Sequence, residues 1–67
     1  MTVEHFTVCV SESIARCVAS TGHFPTTLAI GPDAVGGFRS LCASEQIHSV
    51  VPVPVRLMKG SGVAAIL

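Results

Sequence analysis

The chain has no tryptophan and no tyrosine, and only three phenylalanines. Small side chains bury little area each, so a core built from them needs many contacts. Charge is equally scarce. Four basic residues (Arg16, Arg39, Arg56, Lys59) balance four acidic ones (Glu4, Glu12, Asp33, Glu45), and the formal net charge is zero. Charged residues make up 12% of the chain, about half the share usual in globular domains. A nucleic-acid binder needs a basic face, and this chain has none to offer. Intrinsic disorder is excluded by the opposite imbalance, since 49% of residues are apolar. Long apolar runs are missing too. The longest candidate, Val50–Met58, is broken by Pro52, Pro54 and Arg56, so no membrane span is expected. The N-terminus shows no basic start followed by an apolar run, so no leader is expected.

What remains is 67 residues rich in small apolar side chains, with ten valines and seven alanines. That is one domain, residues 1–67, and small enough that a lone core is marginal. Few charges and zero net charge favour association. The composition therefore predicts a homo-oligomer whose interface completes the core.

Residues 3–10 (VEHFTVCV) alternate, with Phe6, Val8 and Val10 on one side, and predict a first strand. Residues 11–21 predict a helix. Ser11 offers an N-cap, Glu12 suits the first turn, Ile14, Cys17 and Val18 form a stripe, and Gly22 supplies the stop. Pro25 opens an extended stretch, and residues 26–30 (TTLAI) read as a buried strand. Gly31-Pro32-Asp33 breaks it and can start a second helix. Ala34, Val35, Phe38, Leu41 and Cys42 mark that helix's stripe, and Glu45 and Gln46 close it. Gly36 and Gly37 weaken it: either a neighbour packs close there or the helix begins at Phe38.

The run Ile47–Leu57 (IHSVVPVPVRL) reads as an edge strand. Pro52 and Pro54 lack the N–H on one side, which is expected to be the open side, leaving Val51, Val53 and Val55 to pair on the other. Residues 58–62 form a turn and residues 63–67 (VAAIL) a last strand. The predicted fold is α+β in the order β-α-β-α-β-β, ending in an antiparallel hairpin. Val63, Ala64, Ala65, Ile66 and Leu67 carry no charge and no polar alternation, so both faces of that strand are expected to be covered. These five residues are the predicted subunit interface.

No constellation specifies a reaction. His5, Cys9, His23, Cys42 and His48 lack any structural-zinc spacing, and no metal or cofactor is expected. Cys9, Cys17 and Cys42 are an odd, widely spaced set, which fits reduced buried thiols in a cytoplasmic protein better than a disulfide framework. Nucleophile motifs and paired carboxylates are absent, so the expectation is no enzyme. Two glycine-rich spots could meet an anion. One is Gly36 and Gly37 beside Arg39, and the other is the Lys59-Gly60-Ser61-Gly62 turn beside Arg56. Plain turn chemistry is the stronger explanation of both. Asp33 opposes the first by already holding the positive helix end.

Taken in order, SESIARCVASTGHFPTTLAIGPDAVGGFRSL and VVPVPVRLMKGSGVAAIL resemble the A domain of tailed-phage major capsid proteins and encapsulins. There a helix ends in a glycine turn, a strand follows a proline, and a Pro-Val strand leads to a small apolar strand. The layout match covers residues 11–67. The arm, spine helix and peripheral sheet of a complete shell protein do not fit in this length. The resemblance implies an isolated, non-catalytic module that self-associates or docks on a viral shell or another protein, cytoplasmic or virion-associated. The competing expectation is a small oligomeric binder holding an anionic metabolite or partner between subunits.

Overall fold

Thr2 starts the chain on a helix. Its backbone is extended and its side chain accepts from the His5 N–H at 3.1 Å, with Glu4 in the first turn. Helix α1 then runs Val3–Thr21 without a break in this computed structural model, which describes residues 1–44 and 50–67. The expected strand over 3–10 is therefore wrong. Phe6 and Val10 lie four residues apart, which places them on one helical face as readily as on one strand face. Both are fully buried, while Val8, which a strand would bury beside them, is exposed. α1 stops at Gly22, whose φ of 75° is left-handed and whose N–H bonds the Val18 carbonyl at 2.9 Å. A Cβ there would meet no neighbour within 4 Å, so only the backbone objects. Gly22→Ala is expected to cost about 1 kcal/mol in urea unfolding, with the fold intact.

Strand β1, Thr27–Ile30, is the centre of the sheet. A short 3-10 turn, Pro32–Ala34, leads directly into helix α2, Val35–Cys42. Strands β2 (Val55–Leu57) and β3 (Val63–Ile66) complete a three-stranded mixed sheet in the order β2-β1-β3. The architecture is α+β, as expected, but the chain order is α-β-α-β-β. The C-terminal hairpin does not form either. β2 pairs parallel to β1 through α2 as the crossover, and β3 pairs antiparallel on β1's other side. The last two strands do run in opposite directions, but with β1 between them.

The turn over 58–62 must therefore cross above the end of β1, and Gly31 makes that possible. A Cβ on Gly31 would collide with the Gly60 carbonyl and stand 2.7 Å from the Ser61 Cα. The Gly31 N–H instead bonds the Gly62 carbonyl at 2.8 Å. Asp33 holds the same turn: its Oδ1 accepts from the Gly62 N–H at 2.8 Å.

α1 and α2 cover one face of the sheet. Phe6, Val10, Leu28, Ile30, Ala34, Leu41 and Val51 form the buried cluster, with Val55 and Val63 packed against it. Gly37 lies at the helix crossing, where a Cβ would stand 2.9 Å from the Phe6 Cβ. A close neighbour is thus the reason for that glycine, and α2 begins before it. Gly36 faces open space. Closure of α2 by Glu45 and Gln46, and the first part of the Ile47–Leu57 run, lie outside the described residues.

β2 is an edge strand, as the prolines implied, but its open side is the opposite one. The Leu28 N–H bonds the Pro54 carbonyl at 2.9 Å, and the Met58 N–H bonds the Ile30 carbonyl at 2.9 Å. The N–H and C=O of one residue point to the same side of a strand, so positions 54, 56 and 58 face β1. Pro54 therefore spends its missing donor toward β1, where the ladder opens on its carbonyl alone. Among the described residues the regular strand starts only at Val55, near the end of the expected Ile47–Leu57 run.

Candidate functional site

Two surfaces of the sheet stand open among the described residues. The first is the face away from the helices. Register sets its composition: Ala29 pairs with Arg56 on one side and Ala64 on the other, and Thr27 pairs with Ile66. These side chains point away from the buried Leu28 and Ile30. Ala29, itself only 2% exposed, lines a shallow depression of about 630 Å³ with Arg56, Leu57, Met58, Lys59, Ala64 and Ile66. The expected interface strand therefore divides between two surfaces. Ala64 and Ile66 lie on this open face, whereas Val63 packs against the core and Ala65 shares its side. Leu67 follows the strand and is exposed. The expectation that both faces are covered holds for one face only among the described residues.

The second surface is a groove between α2 and β2. α1 packs along β3 and against α2, but α2 stands off β2. The gap has a volume of about 260 Å³ and is lined by Ile30, Val35, Phe38, Val55 and Leu57, with Arg39 and Arg56. Leu57 is 69% exposed, the highest of any large apolar side chain described. In the sequence, Arg39 and Arg56 are candidates in separate glycine-rich settings. The parallel crossover brings both to one groove. The ion pair found among the described residues, Arg16–Glu12 at 3.9 Å, involves neither.

Of the remaining candidates, Lys59 lines the open face rather than the groove, and Gly37 is filled by the helix crossing. Gly36 is exposed on α2. Asp33 is committed to the 58–62 turn, a role its position after Gly31-Pro32 gave no means to foresee. The Lys59-Gly60-Ser61-Gly62 spot is thus a structural turn, whereas Gly36 and Gly37 lie within α2.

His5 and Cys9 share one side of α1 four residues apart, not a strand face. No three His, Cys, Asp or Glu side chains gather as a metal site among the described residues; His48 lies outside them. Only Cys17 of the three cysteines is buried, its Sγ 3.6 Å from the His23 carbonyl. Cys42, expected on the inner stripe, is exposed because α2 turns that side outward, and Cys9 is half-buried. No described helix is long and apolar enough to cross a membrane. No family model, curated protein or solved structure matches the chain.

Proposed function

We propose that this chain is a non-catalytic self-association module that pairs with a second copy through the open face of its sheet. One observation carries the reading: a mixed sheet with helices on one face and Ala29, Ala64 and Ile66 on the other. All-parallel sheets are normally covered on both faces, and one of the two strand pairs here is parallel. Alanines at the centre let a second sheet approach to about 10 Å. The size also suits a partner. The molecule measures 31 × 26 × 17 Å, and a stable interface takes about 800 Å² from each partner. That is about a fifth of the 4213 Å² total surface. Zero net charge removes the repulsion that would oppose stacking two copies. Arg56 and Lys59 sit at the margin, where their heads can stay in water. The accessory role on a viral shell, and with it a virion or cytoplasmic setting, extends this reading on the strength of sequence layout over residues 11–67.

Light scattering tests it. The expected mass is twice the 6.9 kDa of the chain. Ile66→Asp is expected to halve the mass while leaving the circular dichroism unchanged, because Ile66 is on the open face. Val63→Lys is expected to unfold the chain instead, since Val63 packs on the core. A mass of 6.9 kDa at every concentration overturns the reading.

A further inference from the structure

We propose that the free edge of β2, with the groove beside it, binds an extended apolar–acidic–apolar peptide segment of a partner protein, which adds to the sheet as a fourth strand. The proposal uses the edge of β2 rather than the centre of the open face, and Arg56 borders both.

Hydrogen-bond register is the first support. Positions 54, 56 and 58 are turned toward β1. Val55 and Leu57 therefore direct their N–H and C=O groups outward, and both residues keep their donors. The sheet's other edge is different. Gly62 faces β1 through its bond to Gly31, so Val63 faces outward, and its carbonyl already accepts from the Ser13 Oγ on α1 at 3.1 Å. α1 thus screens the β3 edge, while nothing described screens β2. An unscreened edge is a template for strand addition.

The groove supplies the second support. Side chains of an added strand alternate between faces. Residues opposite Val55 and Leu57 would turn theirs to the helix side, toward Phe38, Val35 and Ile30. Those two positions call for apolar residues, and they would cover the exposed Leu57. The residue between them would stand opposite Arg56 on the other face.

Charge is the third support. Arg56 and Arg39 flank the groove, no acidic side chain lines it, and neither arginine is ion-paired among the described residues. The central residue of the guest is therefore acidic. The same fact disfavours a second copy of β2 as the guest in the register centred on position 56. Two-fold pairing there would set Arg56 against Arg56, and like charges directly opposite destabilise a strand pair.

The test is a fluorescence-anisotropy titration with the labelled peptide Thr-Val-Glu-Val-Thr and its counterpart with lysine at the centre. The glutamate peptide is expected to bind about fivefold to tenfold tighter, from exchanging an attractive for a repulsive cross-strand pair. Arg56→Glu, an exposed substitution, is expected to reverse the preference. Leu57→Pro, which removes an outward donor, is expected to weaken both peptides. Equal binding of the two peptides, an unchanged preference in Arg56→Glu, or no binding at millimolar concentration overturns the proposal. Scattering on the same samples reads self-association separately, so either idea can fail alone.

Discussion

Gly31→Ala is expected to remove a large part of the fold's stability, although it adds a single methyl group. The new Cβ would collide with the Gly60 carbonyl and lie 2.7 Å from the Ser61 Cα and 2.9 Å from Asp33 Oδ1. Two of those three atoms belong to backbone, which cannot rotate away as a side chain can. Relief requires lifting the 58–62 turn off the end of β1. That movement breaks the Gly31–Gly62 bond and the Asp33–Gly62 bond, both 2.8 Å. Overpacking costs about 1–3 kcal/mol and each bond about 1 kcal/mol, so the loss is about 3–5 kcal/mol. A domain of this length has a total stability of about 3–10 kcal/mol. Urea unfolding should show a sharply lowered midpoint or no folded baseline. Gly36→Ala is the control. It is helical, with no neighbour within 4 Å of its would-be Cβ, and should raise stability by up to about 1 kcal/mol. A Gly31→Ala variant as stable as the parent would mean that the turn does not cross there.

The same residue shows why the topology is hidden in the sequence. The turn over 58–62 is legible, as is a short strand on each side of it. Whether those strands pair with one another or straddle a third depends on the close approach of Gly31 to the Gly60 carbonyl, at the far end of α2 and β2. No local pattern encodes a contact of that separation. The prolines at 52 and 54 are legible as edge markers. Which side they leave open depends on the register of Pro54 against Leu28, and that is again a long-range fact. Residues 26–30 and 63–67 read as strands and contain β1 and β3, because small and β-branched runs bounded by glycine and proline leave few alternatives. Arg39 and Arg56 are legible as candidates one at a time. Their common groove exists only because α2 carries the chain from β1 to a parallel β2.

Phe6→Ala should be the second severe substitution, and it bears on the largest misreading, the strand expected over 3–10. Phe6 is fully buried. Its ring stands 6.0 Å from that of Phe38, inclined at 58°, and its Cβ abuts the crossing point marked by Gly37. Removing the ring empties the junction of α1, α2 and the sheet. Phenylalanine-to-alanine changes in such places cost about 3–5 kcal/mol. In a chain with only three phenylalanines, few large side chains remain to collapse into the space. Val8→Ala separates the two local structures. A strand puts Val8 on the same buried face as Phe6 and Val10, so truncation there would cost a core residue's worth of burial. The helix turns Val8 to solvent at 53% exposure, and alanine is the better helix former by about half a kcal/mol. The expected result is therefore a large loss at position 6 and a slight gain at position 8, read in parallel urea titrations. Comparable losses at both would restore the strand and displace α1's first two turns.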